Sequence, residues 1–168
     1  MDPLTLLALG ALVVLARKKR AAAVVEGREI PITITSYWPF DVHTDAERRM
    51  EGGEHDRKGR MLHTLQDHIE DPLAHPYVSL AGDYTVFRDG QRLVIPALGE
   101  PSEEWQGRTG EAQYVARVVD TGGHFYGPNK VYRNPGHEPI DVCVRTRAES
   151  IPMQRATALV VEGDAHVP

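Results

Sequence analysis

Six short apolar segments, separated by loops rich in glycine and proline, constrain the fold of this chain more than any other feature. They are residues 31–37 (PITITSY), 77–81 (YVSLA), 92–98 (RLVIPAL), 113–119 (QYVARVV), 140–146 (IDVCVRT) and 157–162 (TALVVE). Apolar runs of this length between turn residues are typical of β-strands, and 15 glycines with 12 prolines disfavour a helical bundle. Because closing a sheet removes its exposed edges, we predict a mainly β protein with a small closed six-stranded barrel.

The rest of the chain predicts little helix. Residues 60–70 (RMLHTLQDHIE) place apolar side chains at helical spacing and are soon followed by Pro72, which predicts one short helix. The polar stretch 41–60 and the acidic stretch 99–112 are interpreted as loops. Asp89-Gly90 is a strong turn signal before the third strand.

Charge and composition exclude several classes of function. The formal net charge is −5 and the isoelectric point is about 5.9, whereas a surface built to hold DNA or RNA is basic. We therefore expect no nucleic-acid partner. The single cysteine rules out an internal disulfide framework and a cysteine-rich zinc site. No glycine pattern of a phosphate-binding or dinucleotide-binding loop is present, so we expect no cofactor.

The histidines do not form a recognisable metal motif. His43-Thr44-Asp45 and His55-Asp56 hold metal-ligating residue types, but no histidine pair has the i, i+4 helical spacing of a zinc protease. His63 and His68 lie five residues apart, on different faces of the predicted helix. We therefore expect no metal site.

The N-terminal residues predict contact with a membrane. Residues 4–16 (LTLLALGALVVLA) are uncharged and end at a cluster of four basic residues, 17–20. As a helix they span roughly 20 Å, somewhat less than a hydrocarbon core of roughly 30 Å. We predict a single-pass anchor helix with its basic stop over residues 1–20, a linker over 21–30 and a barrel domain over 31–168.

Two alternatives to the anchor stay open. The apolar helix could pack into a partner protein, or it could be a cleaved signal peptide. A signal peptide carries its charges before the apolar run, which is the reverse of the order found here. For an anchor, the basic residues predict that the C-terminal side faces the cytoplasm or an equivalent compartment.

Three aspartates flank predicted strands, in the segments Ala81-Gly82-Asp83, Val119-Asp120-Thr121-Gly122-Gly123 and Ile140-Asp141-Val142. A carboxylate beside a buried strand is costly unless it is hydrogen-bonded or functional. The glycines after Asp120 allow close approach to the backbone. Turn formation is the ordinary alternative for an aspartate before glycine.

In combination these segments resemble the 3D domain, named for three aspartates, of the double-psi β-barrel family. The run YVARVVDTGG followed by IDVCV carries the resemblance, TITSYW is similar to the opening strand, and the resemblance covers roughly residues 31–162. The family includes the catalytic part of membrane-bound lytic transglycosylase A. The resemblance therefore implies a six-stranded double-psi β-barrel, with Asp83, Asp120 and Asp141 as the three aspartates. Here a longer loop, residues 124–139, separates the DTGG segment from Asp141, and the lysine of the family's segment is displaced to Lys130.

The resemblance also implies an activity, the cleavage of peptidoglycan glycan strands to 1,6-anhydromuramic products. Asp141 would be the acid/base, with Asp120 and Asp83 orienting it and raising its pKa by repulsion between like charges. Substrate-binding residues would come from the aromatic side chains and the DTGG segment: Tyr37, Trp38, Thr121, Gly122, Gly123 and Tyr126.

The alternative is a non-catalytic double-psi barrel, a structural or glycan-binding protein of a membrane or virion. Fold alone does not decide between the two. A wall-cutting enzyme must face the wall, whereas the basic cluster predicts the opposite side. Location in the internal membrane of a phage virion, beside neighbouring virion proteins, reconciles the two; a bacterial envelope is the other location we consider. The expected partners are peptidoglycan glycan strands and a lipid bilayer contacted through residues 4–16.

Overall fold

The computed structural model describes residues 27–122, 125 and 136–161. Six strands cover much of this part: β1 (Arg28–Tyr37), β2 (Val78–Gly82), β3 (Gln91–Val94), β4 (Ala116–Asp120), β5 (Glu138–Cys143) and β6 (Gln154–Val160). They close into a single barrel in the order β1-β5-β2-β4-β3-β6. The predicted mainly β, six-stranded closed barrel is therefore confirmed.

The strand pairing has an internal twofold pattern. β1 pairs with β5 and β2 with β4 in parallel, whereas the other four contacts are antiparallel. Exchanging β1 with β4, β2 with β5 and β3 with β6 reproduces every contact and its direction. The first three strands and the last three therefore form two topologically equivalent halves that interlock.

Alternation along the strands separates two apolar clusters. One fills the barrel, and its members include Ile32, Ile34, Leu80, Val118 and Ile140, each fully buried. The other lies on the outer face of the wall and consists of Tyr37, Leu62, Tyr77, Ala81, Val115, Val119, Phe125 and Cys143. We call this second set the outer cluster. Because successive residues of a strand point to opposite faces, one strand such as β4 serves both.

Three short α-helices lie in the described part of the chain: α1 (Asp45–Glu51), α2 (Leu65–Glu70) and α3 (Glu103–Thr109). Two of them contradict the sequence interpretation, since α1 falls in the predicted loop 41–60 and α3 in the predicted loop 99–112. Neither helix has an apolar periodicity strong enough to be recognised in the sequence. Their capping residues mark where they begin. Thr44 accepts a hydrogen bond from the Glu47 amide, and Ser102 accepts one from that of Trp105.

The predicted helix 60–70 is shorter than expected. It begins only after Thr64, whose hydroxyl accepts a hydrogen bond from the Asp67 amide. Residues before it are extended instead, because Met61 forms a β-bridge with His55 and the Leu62 amide donates to the carbonyl of Glu54.

The strand positions are correct, but their ends differ from the prediction. β1 begins three residues before residue 31, and β5 and β6 are displaced toward the N-terminus. The predicted strand 92–98 ends at Val94 because proline cannot donate to a sheet ladder, and Pro96–Leu98 form a 3₁₀ turn. Asp89-Gly90 forms the expected turn, with Gly90 at a φ of 78°.

The predicted anchor, residues 1–20, and most of the predicted linker lie outside the described residues. In the part of the chain that is described, no helix has the length and apolar character needed to cross a bilayer.

Candidate functional site

Two of the three predicted aspartates share one row across the barrel wall. Ala81 of β2 is the Cα partner of Asp141 on β5 and of Asp120 on β4. Residues in register across neighbouring strands point to the same face. Two strand spacings separate the aspartates, so their Cα atoms are roughly 10 Å apart. The small side chain of Ala81 leaves open space between the two carboxyl groups.

This row forms the floor of a cleft of about 300 Å³, which we call the acidic cleft. The barrel contributes Tyr37, Ala81, Asp120, Thr121, Gly122, Phe125 and Asp141, and the opposite wall consists of Arg49, Met50, Glu51, Gly52 and Arg57. The cleft therefore lies between the outer face of the sheet and helix α1. It holds three carboxylic acids and two arginines, a lining suited to a polar ligand.

Asp141 is set up as a proton donor near neutral pH. Its side chain lies in the wall of the cleft, and burial raises the pKa of Asp141 to about 7 from an ordinary value of 3.8. The negative charge of Glu51 contributes in the same direction. The repelling carboxylate is thus Glu51 on helix α1, rather than either of the other two predicted aspartates.

Asp120 has a more balanced environment. Burial raises its pKa, and the charge of Asp56 adds to this, whereas the Thr121 amide and the Arg57 guanidinium oppose it. The Thr121 amide donates to Oδ1 of Asp120 at 2.8 Å. One carboxylate oxygen is therefore held by the backbone, which favours the ionised form. The two aspartates of the cleft thus differ in what controls their protonation.

Tyr37 is fixed beneath the cleft. Its side chain is only 7% exposed, it belongs to the outer cluster, and its hydroxyl lies beside the Cys143 thiol. Burial, followed by the nearby Cys143 thiol and Asp120, raises the pKa of Tyr37 well above its ordinary value. The phenol is therefore neutral and contributes a buried dipole beside the carboxyl groups. Its ring cannot serve as an open stacking surface.

Asp83 does not line the acidic cleft. It is fully buried, and its Oδ1 accepts hydrogen bonds from the amide and hydroxyl of Thr85 at 2.8 and 2.6 Å. Its carbonyl also accepts from the Val86 and Phe87 amides. These bonds form the turn after β2. The preceding Gly82 faces the barrel interior, where an added Cβ would lie 3.1 Å from Ile140. The Ala81-Gly82-Asp83 segment is therefore shaped by packing and turn formation.

The predicted substrate-binding residues are only partly brought together. Tyr37, Thr121 and Gly122 line the acidic cleft. Trp38 does not: its ring packs against the barrel core, and the Arg147 guanidinium lies 5.7 Å from the ring centroid. Gly123 and Tyr126 lie outside the described residues.

Glu51, Arg49 and Arg57 are site residues that the sequence interpretation missed. All three belong to residues 41–60, which the sequence analysis interprets as a loop. The Glu51 carboxylate also accepts a hydrogen bond from the Trp38 amide at 3.1 Å, which ties the end of α1 to the end of β1. A signal was present: Thr44-Asp45-Ala46-Glu47 matches the capping-box pattern that marks a helix start, and the structure contains that box.

His63, His68 and His75 form structural contacts away from the acidic cleft. Nδ1 of His63 lies 2.9 Å from Nδ1 of His75, so one ring donates to the other. His68 uses both ring nitrogens: Nδ1 donates to the His75 carbonyl, and Nε2 accepts from the Val115 amide. Burial lowers the pKa of His63 and of His68, which keeps both neutral. Within the described residues, no group of three or more ligating side chains is arranged to hold a metal ion.

Comparison of the chain with models of known protein families, with characterised proteins and with solved structures finds no match. The geometry of the acidic cleft is therefore the basis on which function has to be inferred.

Proposed function

We propose that the chain is a peptidoglycan-cleaving enzyme of the lytic transglycosylase type, with a double-psi barrel as its scaffold and Asp141 as its acid/base. Two observations support the scaffold: the interlocked strand pairing, and the parallel contacts β1–β5 and β2–β4 that join the two halves. The observation that carries the catalytic part is the placement of Asp141 and Asp120 in one row at the floor of a polar cleft.

The reaction needs a group that donates a proton and then accepts one. The Asp141 carboxyl donates its proton to the glycosidic oxygen, and the bond from that oxygen to C1 of the muramic acid breaks. The C6 hydroxyl oxygen of the same sugar bonds to C1 and passes its proton to the Asp141 carboxylate. The products are a 1,6-anhydro sugar and a free 4-hydroxyl, and Asp141 is protonated again.

The pKa of Asp141 suits this cycle. A general acid works best when its pKa lies near the operating pH, and burial brings the pKa of Asp141 to about 7. Asp120, one oxygen of which is held by the Thr121 amide, is the better candidate for stabilising the positive charge that develops at C1. Arg49 and Arg57 at the opposite wall suit a substrate with carboxylate groups, such as those of the stem peptides of peptidoglycan.

Hydrolysis is the second candidate reaction, and the aspartate row is the observation that favours it. Inverting glycosidases place two carboxyl groups about 6.5–9.5 Å apart, with a water molecule between them. Side chains that start roughly 10 Å apart at Cα can reach such a separation. Asp120 would then activate water and Asp141 would protonate the leaving oxygen. A non-catalytic glycan-binding barrel remains the alternative without turnover.

The same proposal includes the location of the protein at a membrane. An N-terminal anchor formed by residues 4–16 would hold the barrel at a membrane, either in a bacterial envelope or inside a phage virion. The sequence order of apolar and basic residues supports this part. Its test is fractionation of infected and uninfected cells and of purified virions.

The activity is tested by mass spectrometry of purified peptidoglycan after incubation with the full-length chain. We expect 1,6-anhydro muropeptides from the wild type and a loss of at least about 100-fold for Asp141→Asn, the size typical of a missing general acid. Asp71→Asn is the matched control, because Asp71 is exposed and binds Arg108 outside the acidic cleft. Products with reducing ends would support hydrolysis. Absence of any product from a folded wild-type protein would contradict both reactions.

A further inference from the structure

A second cleft, of about 260 Å³, lies on the outer face of β3 and β4. Arg117 contributes to it from β4. Arg117 lies three residues before Asp120 of the acidic cleft, so the two residues are roughly 10 Å apart along the strand. We call it the arginine cleft after three lining residues, Arg92, Arg108 and Arg117. Glu111 and Trp105 also line it. The proposed glycan cleavage makes no use of this cleft.

Three arginines from three elements line this small volume. Arg92 of β3 and Arg117 of β4 are direct cross-strand partners. Like charges at such positions destabilise a sheet, and Arg117 is only 8% exposed, which increases the cost. Arg108 joins them from helix α3. A chain that needed only to cover the barrel wall would place apolar side chains here.

The three side chains are oriented before any ligand arrives. Arg92 pairs with Glu111 at 2.8 Å, and one nitrogen of Arg117 donates to the Gly90 carbonyl at 3.0 Å. Arg108 pairs with Asp71 at 2.8 Å and donates to the Glu70 carbonyl at 3.2 Å. A guanidinium has five donors in a planar fork that matches a carboxylate. These contacts restrict the three side chains, which lowers the entropy lost when a ligand binds beside them.

The remainder of the lining is apolar or neutral. Trp105 is buried, and the cleft also includes Pro72, Pro76 and Leu73, which is 69% exposed. His68 adds no charge, because its Nε2 accepts a hydrogen bond from the Val115 amide. A ligand that fills the cleft would thus place an anionic group against the arginines and an apolar group against the proline and leucine side chains.

We propose that the arginine cleft binds a small molecule that carries a carboxylate on a short apolar group. The planar fork of arginine and the adjoining apolar surface favour such a carboxylate over a free inorganic anion. This site does not depend on the proposed glycan cleavage, since it shares no lining residue with the acidic cleft.

The test is a titration of the full-length chain with N-acetylalanine, followed by two-dimensional ¹H–¹⁵N NMR. We expect saturable shifts of the Trp105 indole N–H, which donates to the His68 carbonyl beside the cleft, and of the arginine Nε–H signals. N-acetylalaninamide, which lacks the charge, and inorganic phosphate, which lacks the apolar group, are the comparison ligands.

Arg92→Gln and Arg108→Gln should each weaken N-acetylalanine binding about tenfold, because each removes a charge-assisted hydrogen bond. Arg108 lies on the surface of α3, so its variant remains informative if Arg92→Gln does not fold. Arg28→Gln, an exposed change on β1, should leave binding unchanged. The proposal is overturned by absence of saturable shifts, by equal binding of the amide, by tighter binding of phosphate, or by equal weakening in Arg28→Gln.

Discussion

A buried carboxyl group such as that of Asp141 costs stability, and the structure shows no hydrogen bond that compensates for it among the described residues. Asp83 offers the contrast: its side chain is fully buried, and its carboxylate is bound by Thr85. Groups held in unfavourable surroundings concentrate at functional sites. The two aspartates therefore differ: Asp83 stabilises a turn, whereas Asp141, at the floor of the cleft, retains its proton up to about pH 7.

This difference predicts how stability depends on pH. The unfolded chain releases the Asp141 proton near pH 3.8, but the folded protein retains it up to about pH 7. Between these values the folded state binds more protons, so this group makes stability fall as the pH rises. Asp141→Asn removes the effect. We expect little change in the free energy of unfolding at pH 4 and a gain of up to about 4 kcal/mol at pH 8.

Urea denaturation of the wild type and of Asp141→Asn at the two pH values measures this. Asp45→Asn, in the exposed first turn of α1, is the control and should show no such pH-dependent gain. Equal stability of Asp141→Asn and wild type at pH 8 would mean that Asp141 ionises normally in the folded protein.

Helix α1 matters because it forms one wall of the acidic cleft, yet it buries no residue of its own. Its stability therefore rests on its caps. Thr44 and Glu47 bond reciprocally at its start, and Glu51 at its end accepts from the Trp38 amide. A wall held by so few bonds is able to open locally while the barrel stays folded.

Thr44→Ala removes the capping box and should cost α1 about 1 kcal/mol of local stability. Amide hydrogen exchange in α1 should then become about fivefold faster, and the strands should keep their protection. Ser102→Ala is the matched control, since Ser102 caps α3 in the same way and should affect α3 alone. If Thr44→Ala left exchange in α1 unchanged, contacts other than the cap would hold the wall.

The same helix shows what could be predicted from the sequence and what could not. Strands such as β2 and β4 are visible in the sequence because most of their residues are buried, so apolar side chains predominate in them. The cleft floor was found through Asp120 and Asp141, which interrupt such runs. α1 has no apolar face, so periodicity fails there and only the cap pattern at Thr44 indicates it. The position of Asp83 depends on the bonds of a tight turn, which spacing along the chain does not reveal.

The barrel as a whole depends on one shared interior. β6 closes it by pairing with both β1 and β3. The first and last strands are therefore neighbours, and we expect the barrel to unfold as one cooperative unit.

Leu80 is fully buried in this interior, and Leu80→Ala should lower the free energy of unfolding by about 2–5 kcal/mol. Leu73→Ala removes the same atoms from a side chain that is 69% exposed, and should change stability by less than about 0.5 kcal/mol. Chemical denaturation measures both, and similar costs would contradict the shared interior.

The acidic cleft lies on the outer face of the barrel wall. The interior is filled by apolar side chains, and Asp141 lines the acidic cleft from a strand whose other face belongs to the core. The strands hold the floor of the cleft, and the opposite wall contains Glu51 and Arg49 of α1 together with Arg57 of the segment that follows.

The most direct test of this account is a ¹³C NMR titration of the Asp141 carboxyl carbon in the full-length protein. We expect a midpoint near pH 7, as burial beside Glu51 requires, and a lower midpoint in Glu51→Gln. Because burial is the larger cause, most of the shift should survive that substitution. A midpoint below about 5 in the wild type, within the ordinary range for aspartate, would contradict the assignment of Asp141 as the acid of the cleft.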